Sequence, residues 1–374
     1  MIAYCPTSGF KAPAATSPLR CPNTHEPLEY GDLPPFDPES IDCTQSGLWR
    51  YAAMLPTVAN GQTRISLGEG WTPLITGKWQ DQSVLWKFDH LMPSGSYKDR
   101  GVSVMINWLV GRSATIVVED SSGNAGASVA CYAACAGLDS WIYVPENASD
   151  IKKAQIATYD AELVEVPGPR EAASDAAVAA TRLNKGTKYA SHALQPSYLL
   201  GQMTCAWELW EQMNHQVPDW FVTPIGHGGL LLGAWRGFQH LQRAGLINKL
   251  PRLVAVQVRP YTAIFDASHA GSSRITEQPP RYEQICSDGV SVNRPARSAT
   301  VLAAIRYSRG TVIAVDDEDV LHTRDDLAKQ GIFVEPTSAT VAAALPQLKS
   351  SIQLGETVVA VLTGHGLKRT PEVY

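Results

Sequence analysis

Four short stretches combine glycine with a side chain that could do chemistry. In Pro93-Ser94-Gly95-Ser96-Tyr97-Lys98-Asp99-Arg100-Gly101, a lysine stands between a strand-like run (SVLWKFDH) and a helical pattern (VSVMINWLV). A lysine at a helix start meets the positive end of the dipole, which lowers its pKa and favours the free amine that imine formation needs. On this loop alone, a solvated lysine in a Gly/Ser turn is an equal alternative. Ser121-Ser122-Gly123-Asn124-Ala125-Gly126-Ala127-Ser128 leads from a strand into a helix. Small residues let a ligand approach the backbone, and the unpaired N–H groups of the helix start can receive a carboxylate; taken by itself, this loop reads as a plain strand-to-helix turn. Gly226-His227-Gly228-Gly229 lies between WFVTPI and LLLGAWRGFQHL and has the makings of a phosphate cradle. It lacks the GK[ST] ending of a nucleotide loop and an acid placed for a dinucleotide ribose, so the phosphate of another molecule is expected. His227 reads as a bulky loop residue. Thr363-Gly364-His365-Gly366-Leu367-Lys368 directly follows the run TVVAVL and puts a hydroxyl at a strand's carboxyl end.

The elements that must position these loops are legible as apolar runs. Strands are expected at 83–87, 115–118, 141–144, 163–166, 220–223, 253–258, 312–315 and 357–362, and helices at 126–136, 172–183, 197–213 and 337–348. Strand–helix alternation of this kind predicts α/β architecture: parallel sheets with helices on both faces and ligands at the carboxyl ends of the strands. All four loops sit at such ends. An imine lysine, an anion-binding helix start, a phosphate cradle and a hydroxyl together suit pyridoxal phosphate, which needs an imine lysine, a phosphate site, a ring-oxygen partner and a ring-nitrogen partner. Residues 1–45 are rich in Pro, Ser and Thr and read as an irregular N-terminal extension; 267–297 read as a polar surface excursion.

Composition narrows the class. With 31 basic and 36 acidic residues among 374, the chain is mildly acidic and has no surplus of cations to replace counterions along a nucleic acid. Hydrophobic residues make up 44%, enough for a large core. No run approaches the ~18 apolar residues of a membrane span, and MIAYCPTSGFK is unlike a signal peptide. A soluble cytoplasmic protein is the expectation. Seven cysteines over this length do not form a disulfide framework. Cys131 and Cys135, one helical turn apart among alanines, read as packed small residues. Cys5 and Cys21 resemble the first members of two C-x2-C knuckles, but the second members are Ser8 and Thr24. With only His25 nearby, two thiolates do not make a tetrahedral zinc site, so no metal is expected.

In order and spacing, SGSYKDRG, SSGNAGAS, GHGGLLLG and TGHGLK resemble the threonine synthase branch of the fold type II (tryptophan synthase β-like) pyridoxal phosphate enzymes. SGLWRYAAMLP at 46–56, SLGEGWTPL at 66–74 and GIFVEPTSAT at 331–340 extend the resemblance over nearly the whole chain, and Cys5 and Cys21 sit where many relatives carry a small Cys-rich ribbon. The resemblance implies two parallel-sheet α/β domains with the cofactor between them: a small substrate domain at 102–199 and a large cofactor-binding domain from 46–101 and 200–374. It implies that Lys98 binds the cofactor covalently and that Asn124 bonds its phenolic oxygen. Gly226, His227, Gly228 and Gly229 would hold the phosphate, and Thr363 would face the ring nitrogen. Ser121, Ser122 and Gly123 would bind the substrate carboxylate, Gln195 and Tyr198 would lie on the substrate side, and Glu335 and Ser96 are further possible site residues. A homodimer acting on a small amino acid is implied as well.

The match breaks in one segment. Relatives that make threonine carry an Asn-Ser-x-Asn-Pro-x-Arg-x-x-Gly-Gln-Lys-Thr stretch that helps hold the substrate phosphate, whereas here Ala193, Tyr198 and Met203 take the Ser, Arg and Lys places. Each lost charge-assisted bond is worth about 1.5–3 kcal/mol, so poor use of O-phosphohomoserine is expected unless Arg100, Lys152 or Lys153 rebuilds the site. The expected reaction is threonine synthase-like γ-elimination with water addition at Cβ. The alternatives are β-elimination or β-replacement on serine, threonine or a phosphoserine-type substrate, and a non-catalytic cofactor-binding protein, which the retained Lys98, Asn124 and Thr363 argue against.

Overall fold

Each apolar run becomes a strand, fully buried at 358–361 and 253–258 and only partly covered at the sheet edge 162–166. The computed structural model describes residues 1–13, 18–55, 63–146, 150–168 and 170–368. The elements in chain order are β1 (Ala3–Tyr4), β2 (Glu29–Tyr30), β3 (Leu74–Trp79), β4 (Gln82–Lys87), α1 (Lys98–Val110), β5 (Ile116–Glu119), α2 (Asn124–Ala136), β6 (Asp139–Pro145), α3 (Asp150–Thr158) and β7 (Glu162–Val166). They continue with α4 (Arg170–Ala180), β8 (Thr187–Tyr189), α5 (Pro196–Gln212), β9 (Trp220–Pro224), α6 (Gly229–Arg243), β10 (Arg252–Val258) and α7 (Ala263–His269). The last are α8 (Ser298–Tyr307), β11 (Thr311–Val315), α9 (Asp317–Lys329), α10 (Pro336–Leu348) and β12 (Val358–Val361).

The chain divides into two units. The first comprises Met1–Gly70, Met92–Gly201 and Lys368; the second comprises Trp71–Leu91 and Gln202–Leu367. This division places 46–70 and 92–101 with the smaller sheet, where the sequence reading had joined them to 200–374. Chain tracing explains the difference: α1 packs on α2 of the small sheet, so the loop that enters α1 travels with it.

The sheet of the first unit has the order β7-β6-β5-β8, all parallel, with Val117 opposite Ser140 on one side and Lys188 on the other. The sheet of the second unit has the order β11-β10-β9-β12-β4-β3, parallel except for the β3–β4 hairpin at its edge. Its inner strands are apolar on both faces because helices cover both: Phe221, Val222, Val254, Val256, Val359 and Ala360 are all fully buried. Burying one such Val or Phe side chain contributes roughly 1.5–3 kcal/mol. Helix α10 covers part of this sheet with Ala339, Val341, Ala342 and Leu345.

The SLGEGWTPL motif has a structural role in the first unit. Glu69, wholly buried, accepts from Trp49 Nε1 (2.8 Å), Tyr132 Oη (3.0 Å), Leu67 N (2.8 Å) and the Ser103 hydroxyl. One carboxylate thus ties the 46–56 segment to α1 and α2. The N-terminal extension, expected to be irregular, contains a short antiparallel pair, Ala3 opposite Tyr30, too short to show a period in sequence.

Candidate active site

In the first unit, Lys98 is the first residue of α1, its Nζ 4.9 Å from the centre of the Tyr97 ring, a cation–π contact. The loop before it is held by its neighbour. Asp99, wholly buried, accepts from Ser94 N (2.7 Å), the Ser94 hydroxyl and Ser128 Oγ (2.6 Å). Burial pushes the Asp99 carboxyl up to about 6, against the opposing pull of those hydrogen bonds. Because Ser128 belongs to α2, this one carboxylate couples the lysine loop to the Ser121–Ser128 loop. Ser94 O accepts from Gln155 Nε2 (3.0 Å) and Lys368 Nζ (2.8 Å). Gly95, at φ +82°, makes the turn. Ser96 Oγ is buried and has no protein partner among the described residues.

Strand β5 ends at Glu119, and the small loop follows. Ser121, Ser122, Gly123 and Asn124 are half-buried, and Asn124 opens α2, whose start has no side-chain cap. A Cβ on Gly126 would fall 1.9 Å from Ser121 O, so only glycine lets the loop fold back on the helix here. Because β8 lies beside β5, His192 reaches the same strand end: its Nδ1 is 2.7 Å from Glu119 Oε1. Burial and the adjacent Asp120 carboxylate push Glu119 well above the usual carboxylate range, against the pull of Arg170 and Lys98. Asp120 moves the other way. Burial raises it, but Arg170, 2.9 Å away, and Ser174 outweigh burial.

The substrate-side residues expected from sequence are more buried than a binding surface suggests. Gln195 Nε2 donates to Tyr189 O (2.7 Å), bracing the turn between β8 and α5. Tyr198 is 1% exposed, its ring packed so closely on Gly101 that a Cβ there would lie 2.4 Å away. Of the cations that could replace the missing phosphate site, Lys153 bonds Glu165 (2.6 Å) and Glu146 O (3.0 Å), and Arg100 is wholly buried. The side chain of Lys152 lies outside the described residues.

In the second unit, β9 runs into Gly226–Gly229 and α6. Gly228 caps α6 at φ +88°, and a Cβ on it would meet Val301 Cγ2 at 2.5 Å. Gly226 faces Gly289 O and Val292, which would lie 3.1 and 3.2 Å from a Cβ there. No side chain caps α6, so its first N–H groups are available to an anion. His227 Nδ1 accepts from Ala296 N (3.3 Å). Two hydroxyls of this unit, Thr223 Oγ1 on β9 and Ser291 Oγ beside Val292, are buried with no protein partner among the described residues. Part of the excursion read as surface thus closes over the glycine loop, with Val290 in the core.

Thr363 follows β12 and is 2% exposed. Ser338 of α10 fixes it: Ser338 Oγ lies 3.2 Å from Thr363 Oγ1 and accepts from Thr363 N (2.9 Å) and Gly364 N (2.7 Å). Glu335, the residue that caps α10, is buried rather than on the surface; a Cβ on Gly364 would lie 2.1 Å from its Oε1. Asp99, Glu119, His192 and Ser338 were not singled out from sequence. A pair of acids ending an apolar strand, Glu119-Asp120, was the available signal.

These residues fit pyridoxal phosphate. The first unit supplies a primary amine at a helix start; the second supplies a glycine cradle that leaves no room for a Cβ at Gly228, buried hydroxyls without a protein partner among the described residues, and a fixed threonine. Among the described residues there is no group of three metal-ligating side chains, and no helix is long and apolar enough to cross a membrane. The family model for "Pyridoxal-phosphate dependent enzyme" matches residues 65–364. The chain is 32% identical to the threonine synthase of Methanocaldococcus jannaschii over 339 residues, covering 88% of this chain and 82% of that one. It is 32% identical to the threonine synthase of Synechocystis sp. over 345 residues, covering 89% and 86%. Among solved structures, a threonine deaminase from T.th. aligns with a TM-score of 0.68 at 24% identity, over 80% of this chain and 94% of that one. Maize serine racemase aligns with a TM-score of 0.66 at 21% identity, over 79% and 88%. Loops, sheets and relatives thus agree: the chain belongs to the pyridoxal-phosphate dependent enzyme family, in its threonine synthase-like branch.

Proposed function

We propose that the chain catalyses elimination and replacement on an amino acid bearing a hydroxyl or phosphorylated hydroxyl, by γ-elimination and then addition of water at Cβ. The observation that carries this is its similarity to threonine synthases over nearly nine-tenths of its length. Bound pyridoxal phosphate supplies the electron sink that lets a substrate Cα–H bond ionise. Lys98 Nζ would hold the cofactor and, as a free amine, would move the Cα proton. Asp99 keeps the Lys98 loop in register with α2. Asn124 would bond the phenolic oxygen; Gly226, His227, Gly228 and Gly229 would hold the phosphate with the first turn of α6; and Thr363, fixed by Ser338, would serve the ring nitrogen. Ser121, Ser122 and Gly123 receive the substrate carboxylate. Gln195 and Tyr198 shape the side-chain end, and Ser96 and Glu335 stand as further polar groups. The unit built on the six-stranded sheet carries the phosphate, and the unit built on the four-stranded sheet carries the substrate. A cytoplasmic homodimer is part of the same proposal.

One observation favours a smaller leaving group. Tyr198 and Met203, at the positions where relatives place cations, are each 1% exposed. Burying a hydrated phosphate dianion without charged donors is costly. A kinetic screen of O-phosphohomoserine against serine, threonine and phosphoserine decides the matter. Threonine formed efficiently from O-phosphohomoserine supports the first reading. Turnover confined to the other substrates makes the chain a β-elimination or β-replacement enzyme, and binding without turnover of any of them overturns both.

A further inference from the structure

Near the N-terminus the chain forms two matching hairpins. Cys5 N donates to Phe10 O (2.8 Å) and Gly9 N to Cys5 O (2.9 Å); in the second hairpin Cys21 N donates to Glu26 O (2.8 Å) and His25 N to Cys21 O (2.9 Å). Gly9 and His25, equivalent in the two turns, are both left-handed, at φ +71° and +58°. The turns face each other through their side chains: Cys5 Sγ lies 3.4 Å from Thr24 Oγ1, and Cys21 Sγ lies 3.2 Å from Ser8 Oγ. Both cysteines are buried, while their sequence neighbours Pro6, Thr7, Ser8, Pro22 and Asn23 are exposed.

The two thiols are unequal. Burial pushes Cys21 up, but the hydroxyls of Ser8 and Thr24 and the backbone N–H groups of Asn23 and Thr24 outweigh it and bring the thiol down to about 6. A thiolate is the nucleophilic form of cysteine. The Cys5 thiol instead points at a carboxylate oxygen, Glu26 Oε2, 3.9 Å away. Two hydroxyls occupy the places where a zinc ribbon has its other two thiolates, which leaves a nucleophile and a second thiol with no metal to hold.

We propose that Cys5 and Cys21 form a reversible disulfide, so that the ribbon is a modification site for hydroperoxides. Cys21 Sγ attacks one peroxide oxygen. The O–O bond breaks, the departing hydroxide takes a proton to leave as water, and Cys21 becomes a sulfenic acid. Cys5 Sγ attacks the Cys21 sulfur, the S–O bond breaks, and hydroxide leaves with the Cys5 proton as a second water. Two thiols lose two electrons and the peroxide gains them. The competing cysteines are differently placed: burial pushes Cys131 up to about 11, whereas Cys43 and Cys135 are exposed.

The test treats the reduced full-length holoenzyme with a few equivalents of hydrogen peroxide, blocks free thiols, and maps peptides without reduction. A cross-link between the Cys5 and Cys21 peptides, reversed by dithiothreitol, is expected. Cys5→Ser should stop at a Cys21 sulfenic acid that dimedone traps. Ser8→Ala with Thr24→Val keeps both cysteines and should slow cross-linking at least ten-fold. Oxidation confined to Cys43 and Cys135 overturns the proposal. So does a soft metal that copurifies in equal amount and is lost from both Cys→Ser variants.

Discussion

At the scale of single residues, the site depends on side chains held by others. Thr363 has its hydroxyl fixed by Ser338, and a neutral hydroxyl leaves a ring nitrogen less protonated than a carboxylate would, which favours elimination over transamination. Thr363→Ser should therefore keep most activity, while Thr363→Asp should shift the cofactor's absorption and slow elimination; an Asp variant with unchanged spectrum and rate would place Thr363 elsewhere. Tyr198 makes the complementary prediction. Restoring the relatives' residues with Tyr198→Arg and Ala193→Ser should raise kcat/KM for O-phosphohomoserine by about 10-fold or more, the equivalent of one charge-assisted bond. No gain in a variant that still folds and binds cofactor would show that these positions do not set the substrate.

At the scale of elements, a glycine at a helix start and a buried acid in a loop do different work. Gly228 opens α6 in a left-handed conformation against Val301. Gly228→Ala combines a conformational cost of roughly 1–2 kcal/mol with a clash, and should weaken pyridoxal phosphate binding about ten-fold or more in a titration followed by absorbance. Glu69 ties the 46–56 segment to α1 and α2. Glu69→Ala strands the donors of Tyr132 and Leu67, leaves Trp49 Nε1 with Ser103 Oγ alone and should cost about 3 kcal/mol or more in urea unfolding. The strands at 220–223, 253–258 and 357–362 were legible because burial on both faces makes them continuous apolar runs. Strand β3 is a half-exposed edge and β8 has three residues, so neither shows a period. The four glycine loops were legible from their residue types. Their supports, Asp99 with Ser128 and Ser338 with Thr363, join residues far apart in sequence, and no local pattern announces such pairs.

At the scale of the whole molecule, pH should act on stability through His90. Burial and the nearby His365 hold it down to about 4, whereas the unfolded chain protonates it near 6.5. The unfolded state therefore binds the extra proton between those values, so His90 stabilises the fold above pH 6.5 and this is lost as pH falls towards 4, on the order of 3 kcal/mol in full. Asp99, raised to about 6, works in the opposite sense over part of that window. Urea midpoints of the wild type and His90→Gln at pH 7 and pH 5 separate the two: the variant should lose less stability on acidification, and an equal loss would remove His90 from the account. Of the roles proposed for these residues, the covalent hold of pyridoxal phosphate by Lys98 is the one that can be tested most directly. Purified enzyme should be yellow, and borohydride should bleach it while fixing the cofactor to the protein. Peptide mapping of the reduced protein should find the pyridoxyl group on Lys98, with no covalent label in Lys98→Ala; a pyridoxyl group on any other lysine would contradict the account.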